Sequence, residues 1–243
     1  EEFFEVDEDD SVPEAGLRHA VVNGYHFLAV NPDTYWNLHG YSEDALAWVD
    51  EKLAAITQAE PEKYVFVTAH PPIYDTVFNS LQSDWADADL GEVLQKYPQV
   101  IYFSGHIHNV LQDEMQISQN GSFTALDCGS VKYSTTMNTI NDGGSTFDNS
   151  VGTRIEDFSQ GLLVQVDGSG NVRVTRCDYY RRSPIKDAWE LSYPKADKSH
   201  LSAYDNATRQ RENAAPSFPE DASLTVQSTR SGLSFTWTAA SDD

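Results

Sequence analysis

The stretch "VFVTAHPPIYDT", Val65 to Thr76, decides how this chain reads. An apolar, β-branched run stops at His70, and two prolines follow at once. Such a continuous run is the pattern of a strand buried on both faces. Pro71 and Pro72 exclude helix and fix the backbone as it leaves the strand, which would hold His70 in place. A second stretch has the same form. "VIYFSGHIH", Val100 to His108, ends another apolar strand on Gly105, His106 and His108. Residues i and i+2 of an extended chain point the same way, so His106 and His108 are expected to present two imidazoles to one side. Gly105 permits a close or unusual turn at the strand end.

Helices flank these strands. "SEDALAWVDEKLAAI", Ser42 to Ile56, has a capping Ser42, acidic Glu43 and Asp44 in the first turn, and Leu46, Val49, Leu53 and Ile56 at helical spacing. A second helix is expected over Trp85–Lys96, with Leu90, Val93 and Leu94 inward and Pro98 marking its end. Strands are expected at Tyr64–Ala69 and Gln99–Ser104. Helix, strand, helix, strand over 42–108 implies parallel strands joined by helical crossovers. Ligands of such sheets gather beyond the carboxyl ends of the strands, where both histidine stretches lie. A lone histidine at a strand exit is more often an ordinary polar residue. Three of them at two neighbouring strand ends make His70, His106 and His108 candidate ligands of a transition metal, for which imidazole is suited. His19, His26, His39 and His200 have no such context and read as surface or capping residues.

The remainder is mostly β. "HAVVNGYHFLAV" reads as a hairpin about Asn23-Gly24. Asn120-Gly121 separates two alternating runs, and a third hairpin turns over Asp167–Asn171, whose "DGSGN" is turn chemistry rather than a calcium loop. Residues 132–160 read as one long loop. The domains expected are an acidic irregular arm at 1–16, an α/β (α+β) domain at 17–194, a polar linker at 195–215 and a β module at 216–243. Two short alternating strands in that last segment resemble the opening of a fibronectin type III-like sandwich, which needs about seven.

The chain has 243 residues, with 38 acidic against 16 basic and a net charge of −22. That charge repels phosphate backbones, so duplex nucleic acid is a poor partner. No run approaches the ~20 apolar residues of a membrane span. Cys128 and Cys177 are too few for a disulfide scaffold, and fit either two free thiols or one bridge.

"FVTAHPPIY" and "YFSGHIH", in that order and separated by a helix, resemble the last two motifs of the calcineurin-like metallophosphoesterases. The resemblance spans roughly residues 17–190, through "RCDYYRRSPIKDAWELSYP". It implies a four-layer αββα sandwich, two divalent metals (Mn, Fe or Zn) and hydrolysis of phosphate mono- or diesters. Carried over, His70 and His106 share one metal and His108 holds the other. The family's Asp-x-His, Gly-Asp-x-x-Asp and Gly-Asn-His motifs, which include the histidine thought to protonate the leaving group, are absent. No Gly-Asp pair occurs, and the only Gly-Asn, at 170–171, precedes Val172. The expectation is therefore the C-terminal half of the catalytic domain, cut at both ends. The N-terminal half would be its partner and an uncovered sheet its consequence, and the fragment alone would be inactive. The trailing module suggests a secreted or cell-surface protein. Two rivals stand beside this: a non-catalytic binding module on a degenerate phosphoesterase fold, and a single-metal hydrolase with Asp75 as its general base.

Overall fold

Crossover helices force the strands they join into parallel order, and the parallel core forms as expected. A computed structural model describes residues 5–6, 16–32, 40–81, 86–136, 153–155, 159–213 and 215–241. His39, Trp85, most of the acidic arm and residues 137–152 of the long loop lie outside the described residues. The chain divides into two compact units, Glu1–Asp205 and Asn206–Asp243.

In the first unit, β1 (Glu5–Val6), β2 (Leu17–Val22), β3 (Tyr25–Val30), β4 (Val65–Thr68), β5 (Val100–Ser104), β6 (Ile117–Ser118) and β7 (Thr124–Asp127) form one sheet in the order β1-β2-β3-β4-β5-β7-β6. Strands β3, β4, β5 and β7 run parallel. The β2–β3 hairpin turns through Asn23 and Gly24 at φ of 50° and 77°, the left-handed pair that a type I′ turn requires. Asn120-Gly121 does not repeat this geometry. A longer connection separates the paired ends of β6 and β7, and neither residue has positive φ.

Helix α1 (Glu43–Ala59) is capped by the Ser42 hydroxyl, which accepts from the Ala45 amide at 3.1 Å. It buries Trp48, Val49, Leu53 and Ile56 against Val65, Val67, Val100 and Tyr102 of the sheet. Helix α2 (Asp89–Leu94) is shorter than its sequence suggests. Asp87, 3% exposed, takes the capping role, accepting from the Leu90 amide at 2.7 Å and the Gly40 amide at 3.0 Å. Gly91 sits so close to the loop after His70 that a Cβ would lie 2.6 Å from Ile73 Cγ2. Gly91→Ala is therefore expected to cost about 1–3 kcal/mol by overpacking. An unchanged thermal midpoint would show that Ile73 yields freely.

The opposite sheet face buries Phe66, Ile101, Ile117 and Leu126 against Val172, Val174, Trp189 and Leu191 of a second, antiparallel sheet. That sheet comprises β10 (Gln160–Val166), β11 (Val172–Asp178), β12 (Ser183–Pro184) and β13 (Trp189–Leu191). The parallel centre of the larger sheet is thus packed on both faces, while at β3 the face towards the second sheet leaves Phe27 and Ala29 exposed, so the uncovered face that the sequence implied is confined to that end. The ends of the expected long loop also pair, as β8 (Ser134–Thr136) with β9 (Thr153–Ile155). At the β10–β11 turn, Asp167 accepts from the Ser169 and Asn171 amides at 2.8 and 2.9 Å and from Asn171 Nδ2 at 2.9 Å, so its carboxylate closes the turn. Both cysteines are free.

The stretch 195–205, which composition suggested was linker, folds onto the first unit. Its anchor is His200, 4% exposed and so no surface residue. Nε2 donates to the Pro98 carbonyl at 2.9 Å, leaving Nδ1 to accept from the Lys195 amide at 3.0 Å. Burial holds the His200 pKa below its ordinary 6.5, although the Pro98 bond opposes this. The unfolded chain then binds the proton more tightly. The stabilisation is complete above the unfolded pKa and is lost as pH falls from there through the folded value. The thermal midpoint should drop on acidification below about 6.5, and His200→Gln should flatten that drop. Equal slopes in the two proteins would exclude His200 as the cause.

In the second unit, helix α3 (Asn206–Glu212) precedes the hairpin of β14 (Leu224–Thr229) and β15 (Gly232–Trp237). Its register sets Leu224, Val226, Leu233, Phe235 and Trp237 on one face. This is the alternation read from the sequence.

Among the described residues, no helix is long and apolar enough to cross a membrane.

Candidate metal centre

The parallel ladder runs on past the formal strand ends. The Ala69 amide donates to the Phe103 carbonyl at 3.1 Å, and the Gly105 amide to the His70 carbonyl at 3.0 Å. These bonds zip the two histidine loops together at the carboxyl rim. His70 Nε2 lies 3.2 Å from His106 Nδ1, with the rings nearly perpendicular at 83°.

His108 does not join them as expected. Among the described residues, no three His, Cys, Asp or Glu side chains form a metal-binding group. The expected alternation fails because the chain is not extended there. The strand ends at Ser104, the Ile107 amide closes a tight turn on the Gly105 carbonyl at 2.8 Å, and both His106 and His108 are left-handed, at φ of 71° and 51°. Gly105 is not the residue with positive φ; the histidines take the unusual conformations themselves. The His108 ring packs instead on Tyr133, with centroids 4.4 Å apart.

Left-handed non-glycine residues cost free energy and persist where their surroundings over-determine them, as functional sites do. Besides the two histidines, Asp75 and Asn79 of the His70 loop are left-handed, at φ of 57° and 66°. The clamps holding these loops are visible. Asn109, 2% exposed, accepts from Asn79 Nδ2 at 3.1 Å and donates to the Phe78 carbonyl at 3.2 Å. The Phe78 amide donates to the Met115 carbonyl, and the Tyr102 hydroxyl to the Pro71 carbonyl. Asp87 completes the set, its amide donating to the Pro72 carbonyl and its carbonyl accepting from Tyr74. Asp75, the candidate general base of a one-metal site, is exposed within this turn.

Burial lowers the His70 pKa, which keeps the ring neutral at neutral pH, as a metal ligand must be. The 3.2 Å contact is an imidazole–imidazole hydrogen bond, and with both nitrogens deprotonated the same spacing would let them share one cation. At the usual ~2.0–2.1 Å imidazole bond length they would subtend roughly 100°, close to the tetrahedral angle. Another acidic group stands at the end of the strand beside β5. Asp127, paired in register with Ser104, is fully buried, and burial pushes its carboxyl up to about 8. Burial, with Asp127 beside it, pushes the Cys128 thiol up to about 12, so this thiol is unreactive at neutral pH. Asn109 and Asp127 carry no signal in one sequence that separates them from ordinary loop and strand-end residues.

Compared with known proteins, the chain matches no family model and no curated sequence.

Proposed function

We propose that this chain carries part of the centre of a dimetal phosphoesterase of the calcineurin-like kind, acting on phosphate mono- or diesters. The observation that carries this reading is the His70–His106 pair at the carboxyl rim, with nitrogens 3.2 Å apart. The layering of helices, mixed sheet and second sheet supports it, being three of the four layers of an αββα sandwich. In this reading His70 and His106 hold one divalent metal, and His108 contributes to the second. Such metals, when bound, would supply an activated water and positive charge against the phosphoryl oxygens. The protein's part is to keep His70 neutral by burial and to fix its loop through the Gly105–His70 bond and the Asn109 clamp. The remaining ligands and the proton donor would come from Asp-x-His, Gly-Asp-x-x-Asp and Gly-Asn-His segments, which these 243 residues lack.

A second reading is a non-catalytic module that keeps the fold for binding; the left-handed His108, whose ring packs on Tyr133, favours it. Hydrolysis of a chromogenic phosphate ester with added manganese or zinc separates the two. The 243-residue chain should turn over poorly, and a polypeptide that also carries the three motifs should be active. Equal turnover would show those motifs to be dispensable. Inactivity of the longer polypeptide would leave the binding module.

A further inference from the structure

The histidine turn is gripped from outside its own sheet. Leu111, three residues beyond His108, is fully buried, and both of its peptide groups are held by side chains of the second sheet. Its amide donates to Gln160 Oε1 at 2.8 Å, and its carbonyl accepts from Arg176 Nη1 at 3.2 Å. Gln160 opens β10 and is fully buried. Its Nε2 donates to Gln112 Oε1 at 3.0 Å, and its backbone amide to the Ser130 carbonyl at 2.8 Å. Ser130 lies three residues before Tyr133, whose ring packs on His108. Gly129, left-handed at φ 69°, lets the Leu111 side chain close the gap, since a Cβ there would lie 3.0 Å from Leu111 Cγ. Gln160 thus joins the two loops: its side chain holds the loop that bears His106 and His108, and its backbone amide holds the loop that bears Tyr133.

We propose that Gln160 is a positioning residue for the metal centre: it sets the His108 ring against Tyr133 by fixing Leu111 and Ser130 to the start of β10. The part concerning metal affinity rests on the phosphoesterase reading above; the part concerning the ring does not. Supporting residues of a metal site are commonly worth ten- to hundredfold in affinity.

The test uses the full chain in the variants Gln160→Leu and Gln160→Glu. Glutamate keeps the acceptor for the Leu111 amide, and Gln112 can rotate its own amide to donate to it. Ring-proton NMR shifts of His108 read the ring contact, with Tyr133→Leu as the reference without it. Gln160→Leu should move those shifts towards the reference and weaken Co²⁺ binding about tenfold or more, with Gln160→Glu restoring both. A folded Gln160→Leu with wild-type His108 shifts would overturn the proposal. If Gln160→Leu does not fold, amide exchange in the wild-type chain decides. A Leu111 amide protected like the β5 core supports the grip, and one exchanging like an open loop refutes it. If the wild type binds no Co²⁺, His70 and His106 do not hold a cation without the remaining ligands, and the ring shifts alone judge Gln160.

Discussion

Arg176→Ala should destabilise the first unit by about 3 kcal/mol, near the lower end of what breaking a buried ion pair costs. The guanidinium is 2% exposed, yet it sits in a strand of otherwise ordinary alternation. Its Nη1 donates to Glu114 Oε1 at 2.8 Å and to the Leu111 carbonyl, and its Nη2 to the Asp187 carbonyl at 2.6 Å. The guanidinium carbon lies 4.5 Å from the centroid of the Trp189 ring, whose Nε1 also donates to Glu114. Burial works against the Glu114 charge, but Arg176, Trp189 and Lys186 together hold its carboxyl below the usual range. Alanine would strip two carbonyls of this donor and take the guanidinium away from the carboxylate. The lower end of the range applies because the Glu114 side chain is half exposed and water can replace part of what is lost. Arg176→Lys should not restore stability, since one ammonium cannot serve three acceptors in the fork that a guanidinium spans. Denaturant unfolding measures both variants, and a loss under about 1 kcal/mol in Arg176→Ala would show that the cluster is solvated in practice.

The parallel core was legible because periodicity and punctuation agree there. Ser42, the apolar stripe of α1 and the two runs that end on histidines all pointed to one topology, and the register of β3, β4 and β5 follows it. The β2–β3 and β10–β11 turns were legible for the same reason, since Asn23-Gly24 and Asp167–Asn171 are local chemistry. What could not be read was long-range. His200 belongs to a polar stretch with linker composition, and only its distant partner at Pro98 makes it a core residue. Arg176 looks like a surface arginine until Glu114 and Trp189 are brought beside it. At the candidate site, the meeting of His70 and His106 follows from strand order, which sequence reports well. The orientation of His108 depends on two left-handed residues after the strand ends, and alternation does not extend into such a turn.

The largest effect of all should appear in metal binding. His70 and His106 face each other across 3.2 Å, and removing either leaves one imidazole where two are needed. A Co²⁺ titration of the 243-residue chain, followed by visible absorption and calorimetry, measures this directly. The wild type should bind with the absorption of an imidazole-ligated ion. His70→Ala and His106→Ala should each lower affinity by at least about a hundredfold, beyond the loss typical of a supporting residue. His108→Ala should cost less, and His200→Gln, remote from the pair, nothing. A wild type that binds no Co²⁺, or a folded His70→Ala/His106→Ala double variant that binds it as well as the wild type, would contradict a metal centre at this rim.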